Sequence, residues 1–266
     1  MKTAAVKLFF VLTWLACVPE NFSQTVSKNK ILFSNPGNLN GFTGGNQMGK
    51  VHAVTNELGC VNLRCEMIRS EPDTPTGGCH AEAHLANFPD GSLFGPFPGF
   101  RRTVTFRVKF DTNCEAADMA FFQLKNNVGH SQWNHLIALW RQSGKNGDRI
   151  LLQSNPFRSS RLLYCSLNRD GVPPLTAESW HEIRVTGYFS IAQNSWMSVK
   201  FDGHDVVWYQ NKDCTKKLGT VVTGPMLANI SDSQWQLQLG GYAYFKQAGV
   251  PVATDYISDI MVESFE

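Results

Sequence analysis

Beyond its N-terminus, this 266-residue chain has no stretch that stays apolar long enough to cross a bilayer as a helix. It contains no C-x-x-C pair, which sets aside the familiar zinc knuckles. No internal repeat and no low-complexity tract appear, so solenoids, propellers and tails of biased composition are not indicated. Charge is scarce: 17% of residues are charged and the formal net charge is +2, too little to point to nucleic acid as a partner. Sustained helical periodicity is also missing, and no Pro-, Gly- or Ser-rich segment reads as a linker.

What is present is a globular composition, 42% hydrophobic and 12% aromatic. The opening "MKTAAVKLFFVLTWLACVPENFSQ" carries Lys2 and Lys7 and then an apolar run from Leu8 to Val18. That run is short for a membrane span and reads as a secretory signal over residues 1–24, cleaved between 17 and 24. Residues 25–266 are then expected to form one domain, secreted and extracellular, with no membrane partner. Six cysteines remain: Cys60, Cys65, Cys79, Cys114, Cys165 and Cys214. An even number in an exported chain predicts three disulfides, with their connectivity open. Sequons stand at Asn21 and Asn229; Asn229 is the expected glycosylation site, since Asn21 falls within the signal.

Short alternating runs fill the chain. In "TVTFRVKF", Val104, Phe106, Val108 and Phe110 share one face, and Thr105, Arg107 and Lys109 the other. "VNLRCEMI" puts Val61, Leu63, Cys65 and Met67 together. "HLIALW" and "RILLQS" flank the turn "SGKNGD", "SWMSVKFDGHDVVWYQ" is a hairpin about Asp202-Gly203, and "YISDIMVESF" is a last strand. Many short strands in one domain predict an all-β fold of two packed antiparallel sheets, a sandwich or jelly roll.

Three strands pair an apolar row with a reactive one. "GGCHAEAHL" sends His80, Glu82 and His84 one way and Ala81, Ala83 and Leu85 the other. "MAFFQLK" puts Gln123 and Lys125 on one face, with Ala120, Phe122 and Leu124 opposite. "QWQLQLGGYAY" turns Trp235, Leu237 and Leu239 inward and Gln236, Gln238, Tyr242 and Tyr244 outward. Gly240 and Gly241 leave room near Tyr242 for a ligand or a close backbone approach. If the three strands are neighbours, these rows make one surface.

At these residues the chain resembles the jelly-roll polysaccharide lyases, the concanavalin A-like group that includes alginate lyase, glucuronan lyase and heparin lyase I. Alginate lyases of this fold carry three motifs in order, RTEL(R), QIH and YFKAGVYNQ. "HAEAH" stands at the first, keeping Glu82 and replacing two arginines with His80 and His84. "QLK" stands at the second, keeping Gln123 with Lys125 at the histidine. "QLQLGGYAY" stands at the third, with Gly240 and Tyr242 at its glycine and tyrosine. The resemblance implies a β-elimination with Tyr242, Gln123, Lys125 and His80 as catalytic residues. Glu82, His84, Gln236, Gln238, Tyr244, Lys246 and Arg141 would bind an acidic polysaccharide. Arg141, Lys145, Arg149, Arg158, Arg161 and Lys246 are cations that a polyanion can meet. No cofactor is required, structural calcium is compatible, and a monomer is expected.

The chemistry can be stated without the family. Removing a proton from C5 of a uronate needs its carboxylate neutralised, a base for the proton and an acid for the departing O4. Two other readings suit the same residues: a carbohydrate-binding jelly roll without turnover, and a metal-dependent hydrolase centred on His80, Glu82 and His84.

Overall fold

The computed structural model describes residues 29–45, 49–55, 60–68, 79–126, 135–142, 149–154, 161–167, 169–226, 235–246, 250 and 252–266. The expected signal segment, Asn21 and Asn229 lie outside the described residues, as do Lys145 and Arg158.

The strands run β1 (Lys30–Asn35), β2 (Thr43–Gly45), β3 (Gly49–Thr55), β4 (Val61–Ile68), β5 (Cys79–Leu85) and β6 (Gly99–Phe110). Then come β7 (Ala117–Asn126), β8 (His135–Gln142), β9 (Arg149–Ser154), β10 (Arg161–Ser166), β11 (Trp180–Ser190) and β12 (Trp196–Phe201). The rest are β13 (His204–Asp205), β14 (Trp208–Tyr209), β15 (Lys217–Gly219), β16 (Val221–Thr223), β17 (Trp235–Phe245) and β18 (Val252–Ser264). A single turn of 3-10 helix, Thr112–Ala116, precedes β7.

Every strand pairing is antiparallel, and the strands form two sheets. The first has the order β13-β12-β11-β6-β18-β4-β3, with β1 added to β18 and β16 to β12; the second has the order β15-β14-β10-β9-β8-β7-β17-β5-β2. This is the antiparallel two-sheet jelly roll that the alternation predicts. The main core lies between the sheets, filled by Phe106, Val108 and Phe110 from β6 and by Phe122, Leu237 and Leu239 from β7 and β17. Burying each such side chain stabilises the fold by about 1.5–3 kcal/mol.

The Asp202-Gly203 hairpin forms as expected. Both residues have positive φ (48° and 80°), as a two-residue turn between twisted strands requires. Asp202 is further held by His181, whose Nδ1 lies 2.8 Å from its carboxylate. The final strand, β18, is central rather than peripheral: it pairs with β1, β4 and β6.

Two expectations are corrected. No disulfide joins the six cysteines. Five are buried, and those on strands sit on core faces as small apolar side chains; the Cys114 thiol donates to the Thr254 carbonyl at 2.8 Å. The second correction concerns alternation in β7. Ala120 pairs with Trp140 and Phe122 with Leu139, so one residue of β7, Phe121, is extra against β8. The bulge turns both Phe121 and Phe122 into the core and Ala120 to the other face. A second shift occurs in β17, where Leu239 pairs with Phe122 but Tyr242 with Ala120.

Candidate active site

Strands β5, β17 and β7 are neighbours in the second sheet, so the three reactive rows do form one surface. His84 stands opposite Gln238, which stands opposite Gln123; His80 stands opposite Tyr242, which stands opposite Ala120. Core packing orients all of them. Ala81, Ala83 and Leu85 are fully buried between the sheets, which forces His80, Glu82 and His84 to the outer face.

Glu82 is the centre of the cluster. Its side chain is 2% exposed and lies between the imidazoles, with His80 Nδ1 and His84 Nε2 each 3.4 Å from Oε2. Its other oxygen accepts from Gln123 Nε2 on β7. The strand between them is β17, on which Gly240 stands opposite Glu82 and Gln238 opposite Gln123. Burial alone would push the Glu82 carboxyl up, but the hydrogen bonds and charge of His80 and His84 outweigh it and hold the group at about 2. Glu82 is therefore ionised, and it orients Gln123 and both histidines.

Tyr242 is 2% exposed. Its ring lies 4.1 Å from that of His80, and its hydroxyl is 2.6 Å from the Tyr244 hydroxyl. Burial, then the hydrogen bond to Tyr244, raise its pKa well above the ordinary phenol value. The phenol thus carries its proton, which suits it to donate and not to accept. Gln123 gives one amide hydrogen to Glu82 and has a second amide hydrogen to donate. Its Oε1, like that of Gln238, is buried without a hydrogen-bond partner.

The remaining predicted residues scatter. Lys125 is half-buried and faces Gln236 across β17, one row beyond Gln123. Tyr244 is 42% exposed at the other end of the cluster, and Lys246 beside it is tied to Asp118. Arg141 is not on this surface. It has the same parity along β8 as Ile137 and Leu139, so it turns into the interior, 1% exposed, with its guanidinium 5.4 Å from the Phe110 ring. Arg149 donates to the Lys212 carbonyl at 3.0 Å.

Gly240 and Gly241 serve the core and not a ligand. A Cβ on Gly240 would meet Cys65 Sγ at 2.6 Å, and one on Gly241 would meet Met67 Sδ at 2.0 Å. The two glycines let β4 of the opposite sheet press against β17 beneath Tyr242. The metal reading also fails: among the described residues no three His, Cys, Asp or Glu side chains are arranged to hold an ion. Each imidazole instead turns one ring nitrogen to the same oxygen of Glu82.

Sequence reasoning missed the neighbours of Tyr242. Ala120, Ala138, Trp140 and Leu151 form with it an apolar cluster separate from the main core, and Tyr164 packs against it. The signal was the alternation of "HLIALW", which puts Ala138 and Trp140 on the face opposite Ile137 and Leu139. An open cavity of about 650 Å³ lies elsewhere, lined by Leu32, Phe33, Asn38 and Phe88. The asparagine beside it, Asn35, is occupied in the turn, with its Oδ1 accepting from the backbone of Gly37 and Asn38.

No protein-family model matches this chain, and no curated protein matches it in sequence. Solved structures do match in shape. An endo-β-1,4-glucuronan lyase from the fungus Trichoderma reesei superposes with a TM-score of 0.62 over 88% of this chain and 96% of its own, at 15% identity. Alginate lyase vAL-1 from Chlorella virus gives 0.53 over 88% and 100%, at 11% identity. Cip1, a cellulose-induced protein, gives 0.51 over 86% and 96%, at 13% identity. The chain thus has the jelly roll of the glucuronan and alginate lyases, a likeness of fold.

Proposed function

We propose that the chain is a secreted polysaccharide lyase that cleaves a uronic-acid-containing polymer by β-elimination on the outer face of the second sheet. The observation that carries this is the joined cluster: His80, Glu82, His84, Gln123 and Tyr242, from three adjacent strands, linked through one ionised carboxylate.

In this reading the uronate carboxylate takes the second amide hydrogen of Gln123, with Lys125 and His84 adding positive charge nearby. Neutralising it makes the C5 proton acidic enough to leave. His80 takes that proton, the C5 electron pair forms the C4=C5 double bond, and the C4–O4 bond breaks. Tyr242 gives its proton to the departing oxygen. The imidazolium of His80 then returns a proton to the Tyr242 phenolate, and both groups are restored. Glu82 does not touch the reacting atoms; it orients Gln123 and His80.

The test is incubation with alginate, glucuronan and glycosaminoglycans while following ultraviolet absorbance of the unsaturated product. Silence across that panel would sink the lyase reading. Retention on immobilised acidic polysaccharide with no product would assign a carbohydrate-binding protein instead.

A further inference from the structure

We propose that the polymer continues from the reacting residue across β8, β9 and β10, where Trp140, Leu151 and Tyr164 form its holding subsites. The inference rests on the lyase reading and adds a direction and a length preference to it.

The register lays out the track. Tyr242 stands opposite Ala120, Ala120 opposite Trp140, Trp140 opposite Leu151, and Leu151 opposite Tyr164. The row crosses five strands and, at the usual spacing between strands, covers about 19 Å. A polar row runs beside it, from Gln238 and Gln123 past Ala138 to Gln153. A pyranose has an apolar C–H face and a hydroxyl-bearing edge, and one apolar and one polar rail side by side suit both.

Unmet hydrogen-bonding groups mark the same track. Trp140 Nε1 is a buried donor without an acceptor, and Gln123 and Gln238 each hold a buried oxygen without a donor. Buried polar atoms are rarely left this way, and a sugar's hydroxyls can both accept from the indole and donate to the amides. The Trp140 ring is held from the side by Tyr244, stacked at 5.7 Å, and edge-on by Tyr242 at 5.5 Å. Solvent reaches the track at Tyr244, which is 42% exposed, and at half-buried Tyr164.

The track is one-sided. Beyond β5, in the other direction, the sheet among the described residues holds only β2, three residues long. Most of the bound polymer therefore lies on the β8–β10 side of the scission point.

Uronate oligosaccharides of three to six residues test this, using Trp140→Phe, which keeps a ring and removes the N–H, and Tyr164→Ala. The expected result is a kcat/KM loss that grows with length, about tenfold on the hexamer, the scale of one lost contact, and much less on the trimer. An equal loss at every length, or none at any length, overturns the inference. If the wild-type protein forms no product at all, the lyase reading has failed, and calorimetric binding of the same oligosaccharides still decides the track. Tighter binding of the hexamer than of the trimer, erased in Tyr164→Ala, supports it; no length dependence in the wild type overturns it.

Discussion

The outer faces of the two sheets are built from similar residues and behave differently. On the first sheet Trp180, Lys109, Tyr256 and Arg64 stand in register across four strands, with Lys109 Nζ 4.3 Å from the Tyr256 ring. Three cations there have an acid at hand: Arg64 with Glu66 at 2.8 Å, Lys109 with Glu178 at 3.7 Å, Arg107 with Asp259 at 3.4 Å. On the outer face of the second sheet Glu82, Gln123 and Gln238 are buried, and the side-chain oxygens of both glutamines and Trp140 Nε1 lack partners. The first face holds its charges in part-exposed ion pairs, although Arg64 Nε and Thr105 Oγ1 are buried there without partners, whereas the second buries an ionised carboxylate among amides and imidazoles. Aromatic and charged residues on a strand therefore say little about function until their burial and their partners are known.

Breaking the second face should cost far more than breaking the first. The largest effect is expected for His80→Ala/His84→Ala, which strands a buried carboxylate at a cost of about 3–5 kcal/mol near neutral pH. The sign follows from Glu82, held at about 2 against an unperturbed 4.5. Its contribution is fully present above 4.5 and is lost as the pH falls through about 2. Without the histidines burial alone acts and raises the carboxyl, so the deficit of the double variant should shrink on acidification. Denaturant titrations across pH would show this; a deficit independent of pH would mean that Glu82 is not the group being stranded.

Next in size are Tyr242→Phe and Gln123→Ala, each expected to lower product formation by about a hundredfold or more with the fold retained. Circular dichroism beside the ultraviolet assay separates loss of chemistry from loss of structure. Gly241→Ala should follow, destabilising by about 1–3 kcal/mol through Met67 without altering any group on the outer face. A thermal melt measures it, and an unchanged midpoint would mean that Met67 yields freely. Smallest is Arg107→Ala on the first sheet, whose half-exposed pair with Asp259 should contribute about 0–1 kcal/mol and nothing to turnover.

Strand parity carried most of the site. His80, Glu82 and His84 follow from the alternation of β5 alone, and so do the glutamines and tyrosines of β17. Their adjacency did not follow, because which strands pair is decided by long-range packing that local alternation does not encode. Ala120 was misassigned for a related reason: the bulge at Phe121 changes parity mid-strand, and two successive phenylalanines look the same in sequence whichever one faces inward. Arg141 was read by charge when its parity with Ile137 and Leu139 already pointed inward. The cysteines were counted as an exported set, and nothing in a count says that three of them, Cys65, Cys79 and Cys165, sit on core faces of different strands.

The two bulges have a geometric result of their own. Around Tyr242, three residue steps of β17 are matched by two of β7 and, at the same level, two of β7 by one of β8. A ribbon that loses length from one edge to the other, like a tapered barrel stave, must bend, and local twist increases with it. The line of taper passes through Tyr242, Ala120 and Trp140. The shape of the surface that would meet a sugar chain is therefore set by how many residues each strand spends there, and deleting Phe121 would even β7 with β8 and gather the whole taper between β7 and β17, while leaving every named polar side chain in the sequence.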